Sequence, residues 1–424
     1  MTYHSTTSNL RTHLLTIHPD GWTSLATEAY VTVTAHFINE EWELKDVLLK
    51  TIEAPKSHTA ENVAKYIGNI LDEYKVDRES VLSITTDNAA NYVNAVERHL
   101  QAVNVPCMAH TINLAVRKGL AVRAIESPVN RLKATALHFN KSTTDSYQLE
   151  SKQKLLGVKP AKLINDCATR WNSTYDMVRA VLKPFKTATE ALSTDRFPTA
   201  SAVLPLKYVL LSHLKPSIGD SAALNDMKTK ISTDLEKRYN PNKDAFMLLN
   251  TSSYLDPRFH RLIHLDRDQQ QEVRERVKSE LMVIAEDCGG YEEDGEVAAM
   301  AKGTQEKTAL GAMGDLFGNV YQGAESTDAS GRPTVDIGNV LQQEMLIYES
   351  ETPLPTDSDP LSWWKASGSK YSHIAQLARR YLSIPGSSVR AERVFSTAGI
   401  IVNKKRSALD PENVDRLVFL ANNL

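Results

Sequence analysis

Cysteine is scarce in this sequence of 424 residues, and its scarcity argues against two classes of protein. The three cysteines are Cys107, Cys167 and Cys288, which are too few and too scattered for a disulfide framework or for a zinc site with four cysteine ligands. Disulfide-rich proteins are typical of oxidising compartments, so this cysteine usage indicates a reducing compartment.

Long apolar runs are also missing. No run reaches the ~18 residues that a membrane span needs, and the opening segment (MTYHSTTSNLRTHLL) lacks the apolar core of a signal peptide. We therefore expect neither secretion nor contact with a membrane.

The chain has no excess of positive charge. It carries 49 lysines and arginines against 52 aspartates and glutamates, which gives a net charge of −3. Because bulk positive charge is what holds nucleic acid without specific contacts, any contact with DNA must come from local basic patches. We find no glycine-rich phosphate loop, nucleophile elbow or internal repeat.

The composition is otherwise that of a globular protein of several domains, with 42% apolar and 24% charged residues. Residues 20–132 alternate strand and helix signals. Segments 30–38 and 42–52 predict an antiparallel hairpin, because they are rich in apolar and β-branched residues on either side of an acidic turn. Apolar spacing over 59–73 predicts a helix, and 81–86 predicts a short buried strand. The order predicts an α/β fold with a mixed sheet.

Helical spacing dominates residues 133–285, which predicts an all-helical region. Residues 286–339 are different, because 289–338 hold ten of the 18 glycines and 286–336 carry eleven acids against three bases. Such a composition cannot bury enough apolar surface to offset its ordering entropy, so it predicts a disordered linker. Order is expected to resume over residues 340–424.

Three acidic residues from distant parts of the chain are candidates for chemistry. Asp87 follows the predicted strand 81–86 and is aimed at the cleft of a sheet edge, although it can equally cap the next helix. Asp20 alone is typical of a turn, and Glu392 alone can pair with Arg390 or Arg393. Taken together, Asp, Asp and Glu can hold two divalent metals that activate water and stabilise a leaving oxygen in phosphodiester cleavage.

The sequence around these residues resembles the hAT-superfamily transposases and the zinc-finger BED proteins derived from them. The matching blocks occur in order along the chain, at 20–24 (DGWTS) with 30–38 (YVTVTAHFI), 84–91 (ITTDNAAN), 106–116 (PCMAHTINLAV), 166–177 (DCATRWNSTYDM), 255–259 (LDPRF), and 387–399 (SSVRAERVFSTAG) with 403–409 (NKKRSAL).

The resemblance implies an RNase H-like core interrupted by a large all-helical insertion. It implies that Asp20, Asp87 and Glu392 hold Mg²⁺ or Mn²⁺ if the protein is catalytically active. It also places Trp171, next to Arg170, where a transposase tryptophan supports a flipped base near the break, although such a tryptophan is more often a core residue. Cys107 and His110 occupy a segment linked to the active site, but two ligands do not make a zinc site.

Residues 1–19 resemble the back half of a BED zinc finger, with His13 and His18 at its histidine positions. Two histidines cannot close a tetrahedral site, so we expect no structural zinc. The resemblance also implies an opening strand before Asp20. Residues 14–17 could substitute for it as a short strand, but Pro19 directly precedes Asp20 and a central strand tolerates proline poorly. We therefore expect a displaced Asp20 and no efficient catalysis.

Residues 340–424 resemble the hAT C-terminal dimerisation region. An apolar stripe at Val414, Leu417, Val418 and Ala421, combined with Trp363, Trp364 and 374–382, predicts a face for a homodimer or higher homo-oligomer. The alternative is that these residues pack on the sheet. Candidate phosphate contacts are Arg390, Arg393, Lys404, Lys405 and Arg406, with a solvated basic face as the alternative.

Two functions follow from these features. The first is a nuclear, transposon-derived dimer with a DNA-associated or transcription-regulatory role and no efficient catalysis. The second is an active DNA transposase that uses the Asp20, Asp87 and Glu392 site.

Overall fold

A mixed sheet of five strands forms the N-terminal part of the protein in the computed structural model. The strands are β1 (Leu15–Thr23), β2 (Ala29–Ile38), β3 (Leu44–Glu53), β4 (Val81–Thr86) and β5 (Asn104–Pro106), and their order across the sheet is β3-β2-β1-β4-β5. Strands β1, β2 and β3 are antiparallel neighbours, whereas β4 runs parallel to β1 and to β5. The mixed α/β sheet predicted from the sequence is therefore confirmed.

The structure describes the greater part of the chain, with gaps. The described residues are 15–23, 29–54, 57–157, 172–194, 196–239, 242–289, 336–388, 393–394, 397–398, 401 and 410–423. The greater part of the predicted linker at 286–339 lies outside them. So do most of residues 1–19.

Fourteen α-helices occur in these ranges, with 3₁₀ turns at Arg78–Ser80 and Gly368–Lys370 and a π-helical segment at Ala95–Leu100. The α-helices are α1 (Ala60–Glu73), α2 (Ala90–Asn94), α3 (Met108–Leu120), α4 (Arg123–Lys141), α5 (Thr143–Leu155), α6 (Asn172–Leu192), α7 (Ala200–His213), α8 (Ala222–Lys237), α9 (Lys243–Leu255), α10 (Arg267–Gly289), α11 (Ile337–Ser350), α12 (Pro360–Ser367), α13 (Ser372–Leu382) and α14 (Pro411–Asn423). The proposed domain boundary at 132 falls inside α4.

No helix in the described part of the chain is both long and apolar enough to cross a membrane.

The hairpin of β2 and β3 agrees with the prediction except at its turn. Trp42, predicted to open the second strand, instead lies in the turn with a φ of 60°. The turn is closed by Asn39, whose Oδ1 accepts a hydrogen bond from the amide of Glu43 at 2.8 Å. Trp42 is buried and stacks on Trp364 with ring centroids 5.6 Å apart, so tertiary packing accounts for its departure from the strand.

The opening strand that we expected to be missing is present. Strand β1 continues through Pro19 and carries Asp20 in its second half. Pro19 is paired with Val33 of β2, but the registered pairing of β1 with β4 ends at Ile17, so Pro19 has a paired strand on one side only. Proline is tolerated at such an edge-like position. The expectation of a displaced Asp20 therefore loses its physical basis.

The same strand corrects the zinc-finger interpretation. Residues 15–19 belong to the sheet, so the predicted finger remnant does not include them. His18 lies on a strand and is 1% exposed, rather than standing on a finger helix. His13 lies outside the described residues.

Alternation along the strands gives the sheet one apolar face and one polar face. The apolar face packs against α1 and includes Leu15, Ile17, Val31, Val33, Ala35 and Ile84. The opposite face is equally buried, although its residues are polar: Thr16, His18, Thr32, Thr34, His36, Ser83 and Thr85. Buried polar groups require hydrogen bonds, so this face needs a polar partner.

The C-terminal region covers the polar face. The hydroxyl of Thr16 donates to the carbonyl of Ser383 at 3.2 Å, and that of Thr85 donates to the carbonyl of Pro385 at 3.0 Å. On the outer strand, the amide of Thr51 donates to the carboxylate of Asp415 in α14 at 2.8 Å. Residues from the two ends of the chain therefore share one folded body.

This packing uses most of the apolar residues that we assigned to self-association. Val414 and Val418 are fully buried in a cluster with Tyr30 and Leu48 of the sheet. Trp364 is fully buried as well, and its indole N–H donates to the carbonyl of Leu255 at 3.0 Å. The alternative interpretation, in which these residues pack within the chain, is the correct one for them.

An aromatic cluster joins the helical region to the C-terminal region. Tyr348 of α11 stacks on Trp364 of α12 at 5.6 Å and meets Tyr254 of α9 edge-on at 5.7 Å. Its hydroxyl donates to the carbonyl of Tyr254 at 2.9 Å. The helices on either side of the predicted linker therefore pack directly on each other.

Gly21 of β1 allows a close approach of helix α2. The hydroxyl of Tyr92 lies where a side chain at position 21 would place its Cβ, and the ring carbon Cζ lies 3.4 Å from that point. Within the described residues this hydroxyl has no hydrogen-bond partner. Glycine is required at position 21 because any Cβ would overlap the hydroxyl.

Burial gives His18 a measurable effect on stability. Burial, helped by the nearby His36, lowers the pKa of His18 to about 3 from its usual 6.5. His18 therefore binds a proton below about pH 6.5 in the unfolded chain, but only below about pH 3 in the folded chain. As the pH falls from about 6.5 to about 3, His18 is therefore expected to lower the free energy of unfolding by up to about 1.4 kcal/mol per pH unit.

Urea unfolding at pH 7, 6, 5 and 4 measures this effect. His18→Leu is expected to flatten the pH dependence by about one proton, whereas His99→Leu, at an exposed histidine, is expected to leave it unchanged. If the free energy of unfolding depends on pH with the same slope in His18→Leu and in the wild type, the pH dependence does not come from His18.

The contact between Gly21 and Tyr92 gives a second prediction. Gly21→Ala is expected to lower the free energy of unfolding by about 1–3 kcal/mol, because the new methyl group overlaps the hydroxyl. Combining it with Tyr92→Phe should recover most of the loss, since the ring carbon then sits at ordinary contact distance. Tyr92→Phe alone should be neutral or stabilising, because the hydroxyl is unpartnered. The free energies of unfolding in urea of the two single variants and the double variant form a double-mutant cycle. If the effects of the two substitutions simply add, the methyl group at position 21 does not overlap the Tyr92 hydroxyl.

Candidate active site

Asp20 lies in the second half of β1, and Asp87 directly follows β4, the parallel neighbour of β1. Ile17 of β1 is paired with Ile84 of β4, and each aspartate follows three residues after its member of this pair. Residues at the same level on parallel neighbours project from the same side of a sheet. Asp20 is 8% exposed and Asp87 is half-buried, so both carboxylates lie at the rim of the sheet rather than in open solvent.

The electrostatics of Tyr92 agree with this juxtaposition. Burial raises the pKa of the Tyr92 hydroxyl, and the negative charges of Asp20 and Asp87 raise it further. Both carboxylates therefore act on one buried phenol at the start of α2. Sequence reasoning missed Tyr92, and its place five residues after Asp87 was the only available signal.

The capping role that we kept as the alternative for Asp87 is not observed, because the N-cap of α2 is Ala89 and no side chain makes a capping bond there. Instead, Oδ1 of Asp87 accepts a hydrogen bond from the amide of Ala89 at 3.0 Å within the turn before α2. Asp20 makes a similar local bond, with Oδ1 accepting from the amide of Gly21 at 2.8 Å. These bonds hold each carboxylate in one orientation, which fixed metal ligands also require.

Asn88 turns the chain from the strand toward the helix. Its φ of 69° is left-handed, a conformation that asparagine tolerates better than most residues. Its side-chain amide donates to the hydroxyl of Thr111 at 3.1 Å and to the carbonyl of Cys107 at 3.4 Å. The turn that carries Asp87 is therefore fixed to the start of α3.

Cys107 makes hydrogen bonds to several segments of the chain. Its amide donates to the carbonyl of Thr86 at 2.8 Å, and its sulfur accepts from the amides of Ser388 at 3.2 Å and His110 at 3.4 Å. Burial raises the pKa of the thiol, which disfavours the thiolate needed for zinc. Cys107 thus joins β4, α3 and the segment that leads toward Glu392.

The third predicted carboxylate, Glu392, lies outside the described residues, as do Arg170, Trp171, Arg390, Lys404, Lys405 and Arg406. Its neighbours in sequence are described on both sides. Ser388 bonds to Cys107, and Val394 is buried against Tyr30 and Leu48. Arg393, a candidate phosphate contact, donates to the carbonyl of Ser193 at 2.7 Å. The roles of these residues remain predictions.

The donor chemistry present suits a hard divalent cation. Asp20 and Asp87 offer carboxylate oxygens, which Mg²⁺ and Mn²⁺ prefer. Among the described residues, no three His, Cys, Asp or Glu side chains come together as a metal site. A complete site therefore needs a further ligand from outside these ranges.

A second polar network lies deeper in the sheet, and sequence reasoning missed it. The Thr34 hydroxyl lies within hydrogen-bond distance of the carbonyl of His18, at 3.3 Å, and of His36 Nε2, at 3.0 Å. His36 Nδ1 is bonded to Asp46 on β3. Alternating polar residues at 32, 34 and 36 were the signal in the sequence.

Three stretches of the chain match known families. Residues 18–111 match the ZBED1 RNase-like domain, residues 105–200 match the ZBED1 RNase-like helical domain, and residues 339–424 match the hAT family C-terminal dimerisation region. The first stretch contains the sheet from His18 onward with both aspartates, and the RNase H-like fold expected from the sequence is confirmed.

Individual relatives agree with these matches. The chain is 24% identical, over 94% of its length, to a protein from Zea mays named Putative AC transposase, of which it covers 55%. It is also 24% identical, over 96% of its length, to the Putative transcriptional regulator tpeD of Talaromyces stipitatus, of which it covers 53%. A third relative is Zinc finger BED domain-containing protein 6 of Mus musculus, with 24% identity over 99% of the chain and 49% of that protein.

The chain therefore spans about half the length of the curated relatives that it matches. The order of the matched regions agrees with the order of the blocks in the sequence. This protein carries the RNase-like domains and the C-terminal dimerisation region of the hAT family, and its homologues are hAT transposases and zinc finger BED domain proteins.

Proposed function

We propose that this protein acts on DNA in the nucleus, and that the Asp20–Asp87 pair holds Mg²⁺ or Mn²⁺ for phosphodiester cleavage. The observation that supports this most is the register of β1 and β4, which aligns the two aspartates on one side of the sheet. Divalent metals bound at such carboxylates supply an activated water and stabilise the leaving oxygen.

Each described residue has a distinct part in this proposal. Asp20 and Asp87 bind the cation, and their bonds to the amides of Gly21 and Ala89 fix the carboxylate orientations. Tyr92 closes the apolar side of the site and excludes water from beneath it. Glu392 is the proposed third carboxylate, and Trp171 with Arg170 is proposed to contact the DNA near the break.

Efficient catalysis was not expected from the sequence because the opening strand seemed to be missing. Since β1 is present and carries Asp20, which is paired with Thr32 of β2, that objection no longer holds. We therefore rank cleavage above the purely regulatory role, reversing the order of the two hypotheses.

The second candidate is a DNA-associated regulatory dimer. It is supported by the match of residues 339–424 to a dimerisation region and by a relative whose name describes a transcriptional regulator. Arg390, Arg393, Lys404, Lys405 and Arg406 are the proposed phosphate contacts. This role is compatible with cleavage, because both need bound DNA.

Because Val414, Val418 and Trp364 are buried within the chain, we looked for exposed apolar residues elsewhere in the matched dimerisation region. Helix α11, which lies in the matched dimerisation region, exposes Val340 (40%), Ile347 (48%) and Leu346 (60%). Val340 and Ile347 are seven residues apart, or about two helical turns, so they lie on one side of the helix. We propose that this side of α11 meets a second copy of the chain.

Removing either aspartate tests the cleavage proposal. Asp20→Asn and Asp87→Asn are each expected to lower Mn²⁺-dependent nicking of terminal-repeat DNA by about a hundredfold or more, because a neutral amide is a poor ligand for a hard cation. The control is Asp72→Asn, at an exposed carboxylate on α1, which should keep full activity. Nicking that survives both site variants, or that persists with EDTA, would exclude the site.

The dimer is tested by mass. Light scattering at micromolar concentration should give about twice the chain mass of 47.2 kDa, and Val340→Glu with Ile347→Glu should give the monomer mass, because buried charge at an interface is costly. Leu155→Glu with Leu156→Glu, at exposed leucines of α5 and just beyond it, is the matched control. A monomeric wild type would disprove dimerisation, whereas a dimeric α11 variant would disprove the surface alone.

A further inference from the structure

Helix α4 is positively charged in a chain that is negatively charged as a whole. Its 19 residues include Arg123, Arg131, Lys133 and Lys141 against a single acid, Glu126. The full chain has a net charge of −3. A cluster of lysines and arginines along one helix is the usual electrostatic signature of a surface that binds nucleic acid.

The positive charges lie on one face of α4. At about 100° per residue, Lys141 lies five full turns after Arg123 and Arg131 lies about 80° away. All three are exposed. Ile125, about 200° from Arg123, is the only buried side chain among those described on this helix. The basic face therefore points away from the protein body.

Two neutral side chains on this face add hydrogen-bond donors. Ser127 and Asn130 lie between the first two arginines, within about 40° of Arg123, and offer hydrogen bonds that sugar and phosphate oxygens accept. The face also carries Glu126, about 60° from Arg123, so its three exposed basic residues outnumber one exposed acid. Arg123 and Lys141 form no ion pair with any residue in the described ranges. Their charges are therefore available to an anionic ligand.

Helices α4 and α5 together form an exposed arm. Helix α5 has no buried residue, and α4 contacts α3, α5 and α8. The apolar side chains of Leu137 and Tyr147 are 47% and 72% exposed on this arm. The described surface of the arm is therefore open to a ligand.

The arm is fixed relative to the aspartates. Helix α3 begins at Met108, one residue after Cys107, which is bonded to the end of β4. Its 13 residues span about 20 Å, and α4 extends about 28 Å further along the chain. A duplex rises about 3.4 Å per base pair, so the basic face is long enough to follow about eight base pairs.

We propose that the basic face of α4 binds the phosphate backbone of duplex DNA beside the position where a strand is cut. This inference rests on the proposed function, and it adds the element that holds the substrate. The contacts are made to phosphates, so the binding does not depend on base sequence.

The test uses the variant Arg123→Gln, Arg131→Gln, Lys141→Gln and fluorescence anisotropy with duplexes of unrelated sequence, without divalent metal, at 50–200 mM NaCl. The logarithm of the binding constant falls linearly with the logarithm of the salt concentration, and each lost phosphate contact makes this slope shallower by about 0.9. We expect a slope smaller by about 2–3 and binding weaker on the order of a hundredfold at 100 mM salt. Glutamine preserves helix propensity, and circular dichroism checks the fold.

The matched control removes the same charge elsewhere, at the exposed lysines of α1, α6 and α10, as Lys65→Gln, Lys186→Gln, Lys278→Gln. It should bind like the wild type. Equal slopes for the α4 variant and the wild type would overturn the proposal, and so would tighter binding to duplex RNA than to DNA.

The outcomes also separate this inference from the proposed function. The α4 variant should still nick DNA at saturating concentration with Mn²⁺, whereas Asp87→Asn should bind DNA normally and not nick it. A chain whose binding depends on α4 but which never nicks supports the arm and rejects the active site.

Discussion

The registered pairing of β1 with β4 covers three residues of β1, and the candidate site depends on it. A shift by one residue would turn Asp20 to the apolar face of the sheet, because side chains alternate with a period of two. Hydrophobic packing of Leu15 and Ile17 against α1 opposes such a shift. The position of a polar residue is thus set by the burial of apolar neighbours.

The polar face of the sheet imposes a second constraint. Thr16, His18 and His36 are almost fully buried on it, and buried polar groups must find partners or cost stability. Carbonyls of Ser383 and Pro385 supply two of these partners from the other end of the chain. The N-terminal sheet therefore cannot be completed without the C-terminal region, although about 300 residues separate Thr85 from Pro385.

This arrangement connects the functional surfaces. Cys107 links the strand end that carries Asp87 to α3, and α3 leads to the basic arm. The aromatic cluster around Tyr348 links the insertion helices to α11, where the proposed dimer surface lies. DNA held on the arm, the carboxylates and a second copy would therefore be positioned by one continuous scaffold.

The strands β2 and β4, the helix α1 and the helical character of the insertion could be predicted from the sequence, because periodicity and β-branched content are local properties. The site was predicted only through family resemblance, since Asp20 and Asp87 taken singly are typical of turns and caps. The start of strand β1 was available from the sequence as a possible short strand at residues 14–17. Its continuation to Asp20 could not be predicted, because Pro19 argues against a central strand unless one neighbouring strand is known to end earlier.

The sequence by itself determined the periodic elements, the local charge of α4 and the order of the family blocks. Only the tertiary structure decided that Tyr92 lies over Gly21, that Val414 packs on the sheet rather than on a second copy, and that His18 is a buried strand residue. The physical reason is that local propensity acts between neighbours in sequence, whereas burial, desolvation and register depend on which distant residues meet.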